Sequence, residues 1–142
     1  MNREYASYVI NEIRQMDFYR RTAEQLKIKI ETVRYQREHA TDPTSPQGHE
    51  YIGAGKSLTF EGKESYMHQK MKEEEDLTVE YKKFSTRYID AQLWYYNIVD
   101  QTEEKDFVRD YFSKKYTKQQ LEEMYHTPKA YRKMVQIVMN AL

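Results

Sequence analysis

The chain has 142 residues, and Lys plus Arg equals Asp plus Glu at 23 each, so net charge points to no partner by itself. It contains no cysteine, which excludes disulfides, thiolate metal sites and cysteine nucleophiles. A composition of 32% charged and 39% hydrophobic residues, with four Gly and three Pro, predicts a helix-rich, all-α chain of one ordinary domain or a small domain on a helical extension.

The opening Met-Asn-Arg-Glu-Tyr is not followed by the apolar segment of a signal peptide. No run approaches the roughly 18–20 apolar residues of a membrane span, so an intracellular soluble protein without membrane contact is expected. From Arg3 to Ala40 there is no Gly or Pro. Val9, Ile13, Met16, Ala23, Leu26, Ile30 and Val33 recur at mostly helical spacing, which predicts a long amphipathic helix with a break near Met16-Asp17. Tyr5, Tyr8, Phe18 and Tyr19 add a second apolar edge, expected to pack inside the chain rather than against a partner. Residues 41–60 then hold two of the three Pro and three of the four Gly, which predicts a long polar loop. Within it, Gly53-Ala-Gly-Lys-Ser57 resembles the end of a phosphate-binding P-loop. The motif's first glycine would fall at Glu50, and no apolar strand precedes it, so nucleotide binding by this loop is not expected.

A second long helix is predicted from about Gly62 to Asp100. Leu77, Tyr81, Phe84, Tyr88, Ala91, Tyr95 and Ile98 follow one another at alternating spacings of 4 and 3, the a/d pattern of a packed helix. Two long helices joined by a loop most simply form an antiparallel hairpin. The aromatic seam suits packing on the first helix, on a second subunit, or both. Because one hairpin has a thin core, a homodimer is expected, with Leu77, Tyr81, Phe84, Tyr88, Tyr95 and Ile98 as dimerisation residues.

Thr102 is the expected cap of a third helix with Phe107, Val108, Tyr111 and Phe112 on its inner face. Thr117 is the expected cap of a fourth, Lys118 to Tyr125, with Leu121, Met124 and Tyr125 inward. Thr127 is the expected cap of the last, with Pro128 at its first position. These make a three-helix unit, 102–142, after the hairpin part, 1–101. Helix, tight turn, helix is the shape of a helix-turn-helix. On the last helix Lys129, Arg132, Lys133, Gln136 and Asn140 form a narrow stripe, and nearly everything else is apolar. Such a stripe carries donors for phosphates and base edges; its alternative reading is the solvated face of an amphipathic helix. From Tyr111 onward Lys114, Lys115, Lys118, Lys129, Arg132 and Lys133 face only Glu122 and Glu123, a basic bias that fits a nucleic-acid footprint.

No catalytic constellation accompanies this. His39, His49, His68 and His126 are far apart, with no zinc or haem spacing. Glu64 and His68 are one helical turn apart, a lone pair that reads as solvated, and Glu73-Glu74-Glu75-Asp76 reads as a charged face. No nucleophile motif is present. A non-enzymatic protein without metal or cofactor is expected.

The segment from Glu104 to Leu121, continuing through Thr127-Pro-Lys-Ala-Tyr-Arg-Lys-Met134 to the end, resembles the C-terminal part of the RinA/ArpU-type phage transcriptional regulators, whose ends are similar to sigma-factor region 4. Phe107, Tyr111, Leu121, Thr127, Met134 and Val138 carry the likeness. Glu122 departs from it, standing where a small residue usually packs. The resemblance implies a late-gene activator in the cytoplasm of a bacterial host, binding double-stranded promoter DNA through a C-terminal helix-turn-helix. Lys114, Lys115, Lys118, Lys129, Arg132, Lys133 and Gln136 are then the expected DNA-binding residues. The alternative is a phage interaction protein that binds a host protein such as a defence nuclease or RNA polymerase.

Overall fold

The computed structural model describes residues 2–39 and 60–142. Among them there are helices and no strand: α1 (Arg3–Arg14), α2 (Met16–Glu38), α3 (Phe60–Gln101), α4 (Lys105–Ser113), α5 (Lys118–Met124) and α6 (Ala130–Ala141). The all-helical class follows from the composition. The P-loop likeness at Gly53–Ser57, the expected loop up to residue 59, and His49 lie outside the described residues. The chain divides into two compact units, Met1–Tyr19 with Thr86–Leu142, and Arg20–Ser85; α2 and α3 contribute residues to both.

In the first unit, Asn2 caps α1 by accepting from the Tyr5 N–H at 2.8 Å. The helix breaks at Gln15, whose N–H is shared between the Asn11 and Glu12 carbonyls, one residue from the expected break. Ala6, Val9, Ile10 and Ile13 on α1 are buried with Ile98 of α3, Phe107 and Val108 of α4, Leu121 of α5, and Ala130, Met134 and Val138 of α6 in one apolar cluster. Trp94, Tyr95, Val99 and Phe112 close its edges. This unit crosses the expected boundary at 101/102. The apolar arc of α6 is too wide for α4 and α5 to cover alone, and α1 packs along it, so the last three helices share their core with the first.

Beside the break at Gln15 lies a buried polar group. Glu12 is 6% exposed and sits 3.3 Å from the Arg87 guanidinium. That guanidinium lies 5.0 Å over the Tyr19 ring, whose hydroxyl donates to Gln15 at 3.1 Å. Pairing keeps the Glu12 charge tolerable out of water. At the end of α3, the Lys105 ammonium donates to the carbonyls of Val99, Asp100 and Thr102 at 2.7–3.2 Å, satisfying groups the helix leaves open. Thr102 is therefore not the cap of α4, as expected, but a turn residue: its hydroxyl accepts from the Glu104 N–H, and α4 starts after Glu104.

The second unit is held differently. Ala23, Ile30 and Val33 of α2 and Tyr66 of α3 are buried. Glu74 takes both Arg34 at 2.8 Å and Arg37 at 2.7 Å, and Lys70, 6% exposed, donates to Gln36 at 2.8 Å and Glu73 at 3.2 Å. Arg34 thus meets Glu74 and Gln36 meets Lys70 across this unit. The acidic run is thus not a uniformly solvated face. Glu73 and Glu74 pair across or along the helices, while Glu75 and Asp76 are exposed.

The stripe on α3 faces inward along its length. Leu77, Tyr81, Phe84, Tyr88 and Tyr95 are half-buried, and Ala91 and Ile98 are fully buried. Ile98 is enclosed in this chain's own core and presents no surface to a second copy, while half-buried Tyr95 packs edge-on against Phe112 at 5.9 Å.

Candidate nucleic-acid interface

Two tight turns shape the C-terminal surface. The first joins α4 to α5. Lys114 adopts a left-handed conformation (φ 61), a place where glycine is the unstrained choice. Ser113 donates to the Asp110 carbonyl at 2.8 Å and accepts from the Lys115 N–H at 3.3 Å. Thr117 then opens α5 with a capping box, accepting from the Gln120 N–H while Gln120 accepts from the Thr117 N–H, as a cap at that position requires. These bonds fix the backbone beneath Lys114, Lys115 and Lys118, all exposed. Tyr125, at the far end of α5, donates its hydroxyl to the Asp110 carboxylate and stacks edge-on against Phe107 at 5.2 Å. The carboxylate bond, followed by burial, pushes the Tyr125 phenol up to about 12.

The second turn joins α5 to α6. His126 is left-handed (φ 52), and the Thr127 N–H reaches back to the Glu122 carbonyl at 3.0 Å, a Schellman closure with histidine in the usual glycine place. The final helix does not begin at Thr127-Pro128. Lys129 is extended (φ −146), and α6 starts at Ala130. Its first N–H is capped from a distance: Glu122 accepts from Ala130 at 3.1 Å. Lys129, extended and without a side-chain cap of its own, takes the N-cap place, and the carboxylate of Glu122 does the work expected of the Thr127 hydroxyl.

Around these turns lie two adjoining clefts. One, of about 410 Å³, is lined by Arg3, Glu4 and Ser7 of α1 and by Tyr131, Arg132 and Val135 of α6. The Ser7 and Tyr131 hydroxyls are bonded to each other across it. The other, of about 660 Å³, lies between Arg14, the α4–α5 turn and Tyr131, with Leu121 at its base. Tyr131 is common to both, so Lys114 and Lys118 are linked to Arg132 along one surface. Arg14 lies 5.1 Å over the Tyr111 ring, and burial raises the Tyr111 phenol above its ordinary value against the pull of Arg14.

The expected DNA-binding residues thus fall into different settings. Lys114 and Lys118 line the larger cleft and Arg132 the smaller one, with Tyr131 common to both. Lys115 and Lys129 are exposed on the two turns, and neither lines either of these two clefts. Gln136 is exposed and donates to Asn140 at 3.1 Å. Lys133 turns the other way: its ammonium is 2.7 Å from Glu104 and 4.8 Å over the Phe107 ring, tying α6 to the start of α4. Val135 and Ile137 are buried, whereas Tyr131 is exposed. Met124, expected inward, is also exposed, because α5 ends there and only Leu121 reaches the core. Reasoning from the sequence missed Arg3, Arg14, Tyr116 and Tyr131. The available signal was the surplus apolar width of α6, which demands cover from outside 102–142 and so brings α1 beside it.

Among the described residues no three His, Asp or Glu stand together as a metal site, and no helix is long and apolar enough to cross a membrane. No family model, curated protein or solved structure matches this chain.

Proposed function

We propose that the chain is a duplex-DNA-binding regulator of the phage late-gene activator type. In this reading α2 and α3 form an antiparallel hairpin and α5 and α6 a helix-turn-helix, with the N-terminal part of α6 entering the major groove. The observation that carries it is the clustering of Lys114, Lys118 and Arg132 around Tyr131, on turns fixed by the Thr117–Gln120 box and the Glu122–Ala130 cap. Exposed cations on a rigid apolar platform suit backbone phosphates, while Lys129, Arg132 and Gln136 on and before the first turns of α6 suit base edges. Lys133 serves packing in this reading. A gel shift of the full chain with a random-sequence duplex pool at low salt should retain DNA and enrich a common site. No retention at about 50 mM salt, where phosphate contacts are strongest, would end the proposal.

A second reading, a module that binds a host protein or a second copy of itself, is favoured by Ile89, Leu93 and Tyr96. They share one stripe of α3, on a different face from the buried seam, and are 50%, 59% and 57% exposed. Light scattering coupled to size exclusion, on the wild type and on Leu93→Glu, tests the homodimer. A monomer in both cases removes self-association through this face.

A further inference from the structure

We infer that the cleft bounded by Arg14, the α4–α5 turn and Tyr131 is a nucleotide site, with the phosphate held by Arg14, Lys114 and Lys118 and the base laid against Tyr116 and Tyr131. Three cations converge on one opening of about 660 Å³, and no carboxylate is among its lining residues. Among the described residues these three make no ion pair with another side chain, so an anion in the cleft would meet cations that no carboxylate neutralises.

An independent observation points the same way. Tyr111 lines the cleft and is 7% exposed, yet its buried hydroxyl has no hydrogen-bond partner. A buried hydroxyl left unpaired costs free energy, and native structures seldom keep one without a reason. Arg14, which lines the cleft, lies 5.1 Å over the Tyr111 ring, so this ring and its cation border the opening together. A phosphate or sugar oxygen would satisfy the hydroxyl once the side chains around the opening part to admit the ligand.

The walls select among anions. Inorganic phosphate would leave most of this volume empty, whereas it lies within the range that holds small organic ligands. Ring faces next to cations are the recurring platform for unstacked bases, and every base offers a π-face. The source of the nucleotide is either a free 5′-mononucleotide or an unpaired nucleotide of a DNA strand. Lys114 and Lys118 would be shared with duplex DNA, so nucleotide and duplex compete; that competition, unlike the site itself, rests on the duplex-binding reading.

Calorimetry on the full chain tests the site with four probes: AMP, adenosine, sodium phosphate and a short single-stranded oligothymidylate. Binding of AMP, of the oligonucleotide, or of both supports the site and tells the two sources apart. Adenosine and phosphate should each bind at least about tenfold more weakly, because each lacks one half of the recognition. Arg14→Gln and Tyr116→Ala should each weaken the nucleotide about tenfold. Tyr111→Phe should also weaken it, while raising the Tm of the ligand-free protein. The inference fails if neither AMP nor the oligonucleotide binds at millimolar concentration. It fails equally if phosphate alone binds as tightly as AMP, or if Tyr111→Phe lowers the Tm and leaves affinity unchanged. Duplex gel shifts run in parallel separate the two readings. Duplex binding without nucleotide binding overturns only this inference, and the reverse overturns only the regulator.

Discussion

The unit of Met1–Tyr19 and Thr86–Leu142 closes around a continuous apolar cluster from Ala6 to Val138, with one paired charge, Glu12, admitted at its edge. The unit of Arg20–Ser85 buries Ala23, Ile30, Val33 and Tyr66, and fastens its helices with Arg34, Arg37 and Glu74 and with Lys70 and Gln36. Salt screens partly exposed ion pairs, whereas apolar burial has no charge for it to screen. The difference shows where precision is needed. The candidate interface stands on the apolar unit, whose packing holds the two turns in place; the charged pairs of Glu74 that respond to ionic strength belong to the other unit.

The sharpest way to break this comparison is to empty the apolar core. Phe107→Ala should cost about 3–5 kcal/mol in urea unfolding, and Met134→Ala about 2–5 kcal/mol, both insensitive to salt. Arg87→Ala should follow at about 2–3 kcal/mol, because Glu12 then remains buried without its partner. In the other unit Glu74→Gln should cost only about 1 kcal/mol, and this cost should shrink in high salt. A salt-independent loss as large as that of Phe107→Ala would erase the distinction between the units.

Two smaller effects probe the turns. His126→Gly should stabilise by about 0.5–1 kcal/mol, since glycine takes a left-handed backbone without steric cost. The Tyr125–Asp110 bond predicts a pH dependence. Between pH 10 and about 12 the unfolded chain releases the phenolic proton while the folded chain keeps it. Stability from this bond is therefore complete below pH 10 and is lost as pH rises towards 12. Tyr125→Phe should flatten that part of the stability profile. An unchanged slope would mean the bond does not form.

Much of the helical framework was legible from spacing. The a/d run on α3 and the apolar series on α1 and α2 mark covered faces, because a helix returns to the same side every three or four residues. The break near Met16 and the Thr117 cap were legible for local reasons. What stayed hidden was set by residues distant in sequence. Thr127-Pro128 has the form of a helix start, but Glu122 caps α6 from the preceding helix, and α6 begins at Ala130. Lys133 shares a stripe with Arg132, but Glu104 and Phe107 draw it to the core. Arg14 belongs to the candidate site only because α1 covers α6, a contact between the two ends of the described chain.

The reading of Lys118 as a phosphate contact and Lys133 as a packing residue leads to the most direct test. Duplex affinity of the full chain, followed by fluorescence anisotropy across a salt series, should fall linearly in log–log form. Lys118→Ala should reduce the slope by about one. Lys133→Ala should leave the slope unchanged and lower unfolding stability instead. Absence of salt-dependent binding, or a slope reduced by Lys133→Ala and not by Lys118→Ala, would contradict the account.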